Sequence, residues 1–176
     1  MSVDEELHEH AEHAKEPFDK KVAVTMAVIA AMLAIDGVMG HLLTTEELLH
    51  QQKASDQWSY YQAKSIRRYE SGLAADLLKG MKTDAAEASA ETYKKNAEKY
   101  DEDMKEISAK AKELEAESKK AGDQAHRLDY GEVFLELGIV FASMAILTKR
   151  GLYWGVAMAS ALVGLGIALS MFLVTA

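Results

Sequence analysis

Two carboxylates, Asp36 and Glu136, lie inside stretches of apolar residues, where an ionised side chain is costly. At about 1.5 Å of rise per residue, each sits roughly 7–11 Å from the end of its stretch if both stretches are helices. In a bilayer the two would share a depth. His41 and Glu132 match one another in the same way, nearer the surface, and Glu132 and Glu136 share a helix face at a spacing of four. A charged carboxylate at the middle of a membrane helix costs on the order of 3 kcal/mol. Acids at one level could bind a cation, share a proton or line a wet path. The plainer alternative is that each is protonated or bonded to a neighbouring backbone, Ser or Thr. Asp36, Glu136, Glu132 and His41 are the candidate ion or proton site.

Other groups bear on metal. His8, His10 and His13 interleave with Glu5, Glu9 and Glu12, and their spacing would set several on one helix face, as a divalent ion requires. Nothing in the sequence supplies outer partners for them, and a solvated polar leader explains the same pattern. Glu47-x-x-His50 and Asp123-x-x-His126 have the carboxylate-x-x-His spacing of di-iron bundles, but the other two bundle carboxylates have no counterpart. Salt-bridged surface residues are the better reading. No nucleophile elbow, phosphate loop or Gly-rich fingerprint is present, and the absence of Cys removes disulfides, thiolate zinc sites and catalytic thiols. No cofactor is implied. The net charge of −8 argues against a nucleic-acid partner.

The elements that must position these groups are helices. Residues 22–43, 133–148 and 152–176 are apolar on every face and bracket a charged segment of low hydropathy. About 20 apolar residues cross a hydrocarbon core. The first and third stretches reach that length, and the second does so if Glu132 and the chain around Tyr130 lie at the interface. The expectation is an all-α integral membrane protein. It divides into an acidic leader (1–16), a first span (17–43), an extramembrane hairpin (44–131), a second span (132–148), a basic turn (149–151) and a third span (152–176). The acidic leader is unlike a signal peptide, which begins basic. Lys20 and Lys21 precede the first span, while Lys149 and Arg150 form the later turn, so three crossings put both clusters on one side. Basic loops face the cytoplasm. That places the N-terminus inside and the hairpin outside, although Lys112, Lys119, Lys120 and Arg127 pull the other way. Tyr153 and Trp154 suit interfacial anchors.

Within the charged segment, Pro17 suits a helix start. Thr44 with Glu47 reads as a capping box that would break and restart the first helix, and Asp84 with Glu87 reads as another after Gly80. Ile66, Tyr69, Leu73 and Leu77 form the apolar face of the first arm. The second arm carries a heptad seam: Tyr93, Ala97, Tyr100, Met104, Ile107, Ala111, Leu114, Ser118, Ala121, Ala125 and Leu128. Such a seam favours a coiled coil, and its register continues through Glu132, Leu135, Ile139, Ala142 and Ile146. A break at Gly122–Asp123, or a tilt, would reconcile arms of unequal length. Trp58, Tyr60 and Tyr61 followed by Lys64, Arg67 and Arg68 could instead lie flat on a membrane surface, but the stretch lacks a broad apolar face. In the spans, Ala23, Ala27, Ala30, Ala34, Gly37 and His41 form a small-residue seam, as do Gly138 with Ala142, and Ser160, Gly164 and Ala168. Such seams let helices pack closely in lipid. Three spans seldom shape a pore alone, so a homo-oligomer is expected.

The runs HAEHAKEPFDKKVAVTMAVIAA and TTEELLHQQKASDQWSYYQAKSIR carry a resemblance. The chain resembles a bacterial family of small membrane proteins of unknown function that pair an acidic His-rich leader with a first span and a W-x-Y-Y-Q-A-K helix. The resemblance implies a bacterial inner-membrane location and assigns no role to any residue. The functional expectation is a non-enzymatic, self-associating membrane protein whose hairpin is a scaffold or interaction module, with lipid and a second protein as partners. The alternative is an oligomeric cation or proton pathway through the intramembrane acids. An enzyme, suggested only by the two carboxylate-x-x-His pairs, is a distant third.

Overall fold

A chain whose sole proline is Pro17 has no proline to break a helix that starts there. A computed structural model describes residues 17–174 and contains three α-helices: α1 (Pro17–Gly80), α2 (Asp84–Thr148) and α3 (Gly151–Leu169). A single 3₁₀ turn, Ser170–Leu173, follows α3. No strand occurs among the described residues. All three helices contain segments long and apolar enough to cross a membrane. The described residues form two compact units, one of residues 46–119 and one that joins residues 17–45 with 120–174.

The unit of residues 46–119 is an antiparallel pair of helices. Lys82 takes a left-handed conformation at φ 52° and turns the chain, while Gly80 stays helical. Thr83 caps α2: its Oγ1 accepts from the Ala86 N–H at 3.3 Å, and its carbonyl accepts from the Glu87 N–H at 2.9 Å. The cap therefore falls one residue before Asp84. Asp84 and Glu87 sit instead in the first turn, where negative charge complements the helix dipole. On α2 the heptad seam is buried at Met104, Ile107, Ala111, Leu114 and Ser118. Toward the turn the lining shrinks to Ser71 and Ala75 of α1 against Ala86 and Ala90 of α2, so less apolar area is buried there.

The expected face of the first arm points the other way. Ile66, Tyr69, Leu73, Leu77 and Met81 are 59–67% exposed. The residues of α1 turned inward include the buried Ala54, Ser71 and Ala75 and the partly buried Trp58, Lys64 and Arg68. The ion pairs of this unit explain the choice, because long basic side chains must reach acids on α2 along the seam edge.

The other unit is a three-helix bundle. α1 turns Val22, Ile29, Asp36 and Gly40 inward, α2 turns Leu128, Leu135, Ala142 and Ala145, and α3 turns Ala157, Ala161, Gly164, Ala168 and Met171. α2 and α3 approach closely at Gly131 and Gly164. A Cβ on Gly164 would lie 2.7 Å from the Gly131 carbonyl oxygen. Beside this crossing the Ser160 hydroxyl donates to the Phe134 carbonyl at 2.7 Å. At one end Leu43, Leu128, Ala168 and Met171 form a cluster, and the Gln124 amide donates to the Met171 carbonyl at 3.3 Å. Three-helix packing thus begins well before residue 132, where composition alone starts the second span.

Two further expectations are corrected. No helix break occurs at Thr44, because Thr44 and Thr45 turn their hydroxyls back to the carbonyls of Gly40 and His41, four residues earlier. α2 runs unbroken through Gly122–Asp123. Ala23, Ala27, Ala30 and Ala34, the small-residue seam of the first span, are exposed.

Candidate functional site

In the three-helix unit Asp36 is 7% exposed and its Oδ2 has no hydrogen-bond partner. Two glycines on α1 let acids of α2 come near. A Cβ on Gly37 would lie 3.8 Å from Glu132 Oε1, and one on Gly40 would lie 3.8 Å from Asp129 Oδ1. Asp36 is within electrostatic reach of both acids. Its neighbours are therefore Glu132 and Asp129, not Glu136. Glu136 and His41 are exposed and take no part in the cluster.

The reason is register. Counting depth from the ends of the apolar stretches pairs residue 36 with 136 and residue 41 with 132. Packing instead sets Gly37 beside Glu132, one helical turn away, because the bundle extends back to Gln124. Asp129 escaped the sequence reading because it precedes the second apolar stretch. The available signal was its place beside the seam residue Leu128 and three residues before Glu132.

Asp36 also forms part of the wall of an open-sided groove of about 330 Å³. The rest of that wall is hydrocarbon and thioether, including Met32, Ile35, Leu165, Leu169 and Phe172.

The metal candidates do not assemble. Among the described residues no group of three or more His, Asp or Glu side chains converges to hold an ion. His50 Nδ1 lies 3.0 Å from Glu117 Oε2, a close contact that is not aligned as a hydrogen bond. Glu47 offers its backbone carbonyl to the Ser118 hydroxyl at 3.0 Å. Asp123 and His126 line a shallow pocket with Arg127 and Tyr130. His8, His10 and His13 lie outside the described residues.

In the two-helix unit the W-x-Y-Y-Q-A-K run clamps α1 to α2. The Trp58 indole N–H donates to Glu115 Oε1 at 2.7 Å, and Trp58 meets the Tyr61 ring edge-on at 5.5 Å. Lys64 donates to Asp103 at 2.6 Å and lies 5.1 Å from the centre of the Tyr100 ring. Arg68 donates to Asp101 at 2.9 Å. These contacts bind the stretch to its own partner helix rather than leave it free to lie on a surface. The hydrogen bond to Asp103 holds the Lys64 ammonium above the usual lysine range. Hydrogen bonds from Lys105 and then Arg68 hold the Asp101 carboxyl below the usual carboxylate range.

A family model described as a domain of unknown function, DUF4337, matches residues 18–174. The chain belongs to the DUF4337 family. The match takes in both units of this DUF4337 chain, from the start of α1 to the turn after α3. Comparison with curated proteins gives no match. Comparison with solved structures gives none either.

Proposed function

We propose that this protein is a non-enzymatic, self-associating membrane protein. In this reading the three-helix unit lies in the bilayer, and the two-helix unit is a water-exposed coiled-coil hairpin that joins copies together. The observation that carries self-association is the exposed stripe Ile66, Tyr69, Leu73, Leu77 and Met81, which occupies the α1 face opposite the intrachain seam. Tyr69 and Leu73 also line an open cleft of about 880 Å³ together with the charged Arg68, Asp76, Glu98, Asp101, Glu102 and Lys105. Five side chains of this size offer on the order of 500 Å² per copy, below the roughly 800 Å² per partner of a standard complex. Confinement to one membrane raises effective concentration and lowers the area needed. It also holds all copies the same way up.

Membrane placement is supported by what the three-helix unit turns outward. Val24, Ile35, Val38, Leu162 and Phe172 are exposed, while its interior holds Asp36 and many small residues. A bundle greasier outside than inside is matched to lipid. Lys149 forms an ion pair with Asp19, which supports a common side for the basic clusters at residues 20–21 and 149–150. We place that side in the cytoplasm of a bacterial cell and the hairpin beyond the inner membrane.

Sedimentation in mild detergent tests the association. Wild type should be oligomeric, and Leu73→Asp with Leu77→Asp should be monomeric at unchanged helicity. A monomeric wild type, or an oligomer indifferent to both changes, would overturn it. Topology is read by single cysteines such as Ser55→Cys, since the native chain has none. Labelling by an impermeant thiol reagent only after cell lysis would refute an external hairpin.

A further inference from the structure

We infer that the groove beside Asp36 binds a lipophilic ammonium ion, a protonated amine carried on a single hydrocarbon tail and bearing no phosphate. The inference rests on the three-helix unit alone and does not depend on self-association.

Three observations carry it. Asp36 is more than nine-tenths buried, and one carboxylate oxygen lacks a partner. A buried carboxylate without a counter-charge is costly, and an incoming cation supplies what the chain withholds. Second, among the described residues Asp36 is the one ionisable side chain in the groove wall, and Ile35, Leu165, Leu169 and Phe172 can cover only an apolar body. A polar point in an apolar slot of about 330 Å³ is the common form of a small-ligand site, at the lower end of the usual range. Third, Asp129 and Glu132 add negative potential behind Asp36. They favour a cation and repel an anion. Among the described residues no Lys, Arg or His lines the groove, so a phosphate would enter without a partner from them. Charge complementarity thus selects an amine over a fatty acid, and the missing basic group selects a simple amine over an amine-headed phospholipid.

The test uses the full chain in phosphatidylcholine nanodiscs with radiolabelled dodecylamine, read by scintillation proximity against empty discs. Saturable binding at one site per chain is expected, displaced by unlabelled dodecylamine but not by dodecan-1-ol, dodecanoate or dodecylphosphoethanolamine. Asp36→Asn should weaken binding roughly tenfold or more, as loss of one member of a desolvated charge pair does. Glu136→Gln, an exposed acid of the same unit, should leave it unchanged. Leu165→Trp, which fills the slot and spares the carboxylate, should also abolish binding and covers the case in which Asp36→Asn fails to fold. The inference is overturned by binding no greater than in empty discs, by equal displacement with the alcohol or the phosphate analogue, or by unchanged affinity in both groove variants.

Discussion

Replacing Gly164 with Ala should cost the three-helix unit roughly 2–4 kcal/mol. The added methyl would sit 2.7 Å from the Gly131 carbonyl oxygen, 3.0 Å from Phe134 Cβ and 3.2 Å from the Leu135 nitrogen. Two of these neighbours are backbone atoms of α2, so no side-chain rotation relieves the contact, and the helices must part by several tenths of an ångström. Overpacking of this kind costs about 1–3 kcal/mol. Parting the helices also lengthens the bond from the Ser160 hydroxyl to the Phe134 carbonyl, now 2.7 Å, and a lost hydrogen bond adds about 0.5–1.5 kcal/mol. Gly166 is the internal control. It lies on the same helix, nothing stands within 4 Å of a Cβ built there, and Ala should be neutral or stabilise by up to about 1 kcal/mol. Unfolding followed by circular dichroism in mild detergent compares the two. Equal stability of Gly164→Ala and Gly166→Ala would refute the close crossing of α2 and α3.

Three further outcomes concern the hairpin. Gly72 lies inside α1 with open space around it, so Gly72→Ala should raise thermal stability by up to about 1 kcal/mol in a melting experiment. Asp101 has a carboxyl pKa depressed by Lys105 and Arg68, so its contribution is present above the unfolded carboxylate value near 4 and is lost as pH falls through the lower folded value. An acid titration of melting temperature should show this component, and Asp101→Asn should remove it. Ile107 is buried in the seam, so Ile107→Asp should cost on the order of 3 kcal/mol and lower the helical signal on denaturant titration, whereas the exposed Leu73→Asp should not.

Periodicity made part of this architecture readable. The alternation of threes and fours from Met104 to Leu128 marks residues that are all buried, because residues at that period share one face of the helix. Faces chosen by hydrophobicity alone were not readable. Ile66, Leu73 and Leu77 outrank Ser71 and Ala75 in apolar area, yet the latter turn inward beside the ion pairs of Lys64 and Arg68. The candidate site suffered from the same blindness to partners. Asp36 stood out as an acid among aliphatics, but which acids oppose it depends on a helix register that composition does not contain. Thr44 with Glu47 shows the limit of a local motif, since a threonine can serve as a cap or bond back to its own helix.

The narrowing of the hairpin lining toward its turn has a kinetic and thermodynamic meaning. Alanine and serine hold the last turns of the pair together, so those turns should open first and exchange their amide hydrogens fastest. The stripe that would meet a second copy, Ile66 to Met81, lies along that same loosely held stretch. Association would then supply the apolar contact that the tip lacks, and the order of the tip would rise with the concentration of the protein. The hairpin would report how crowded it is.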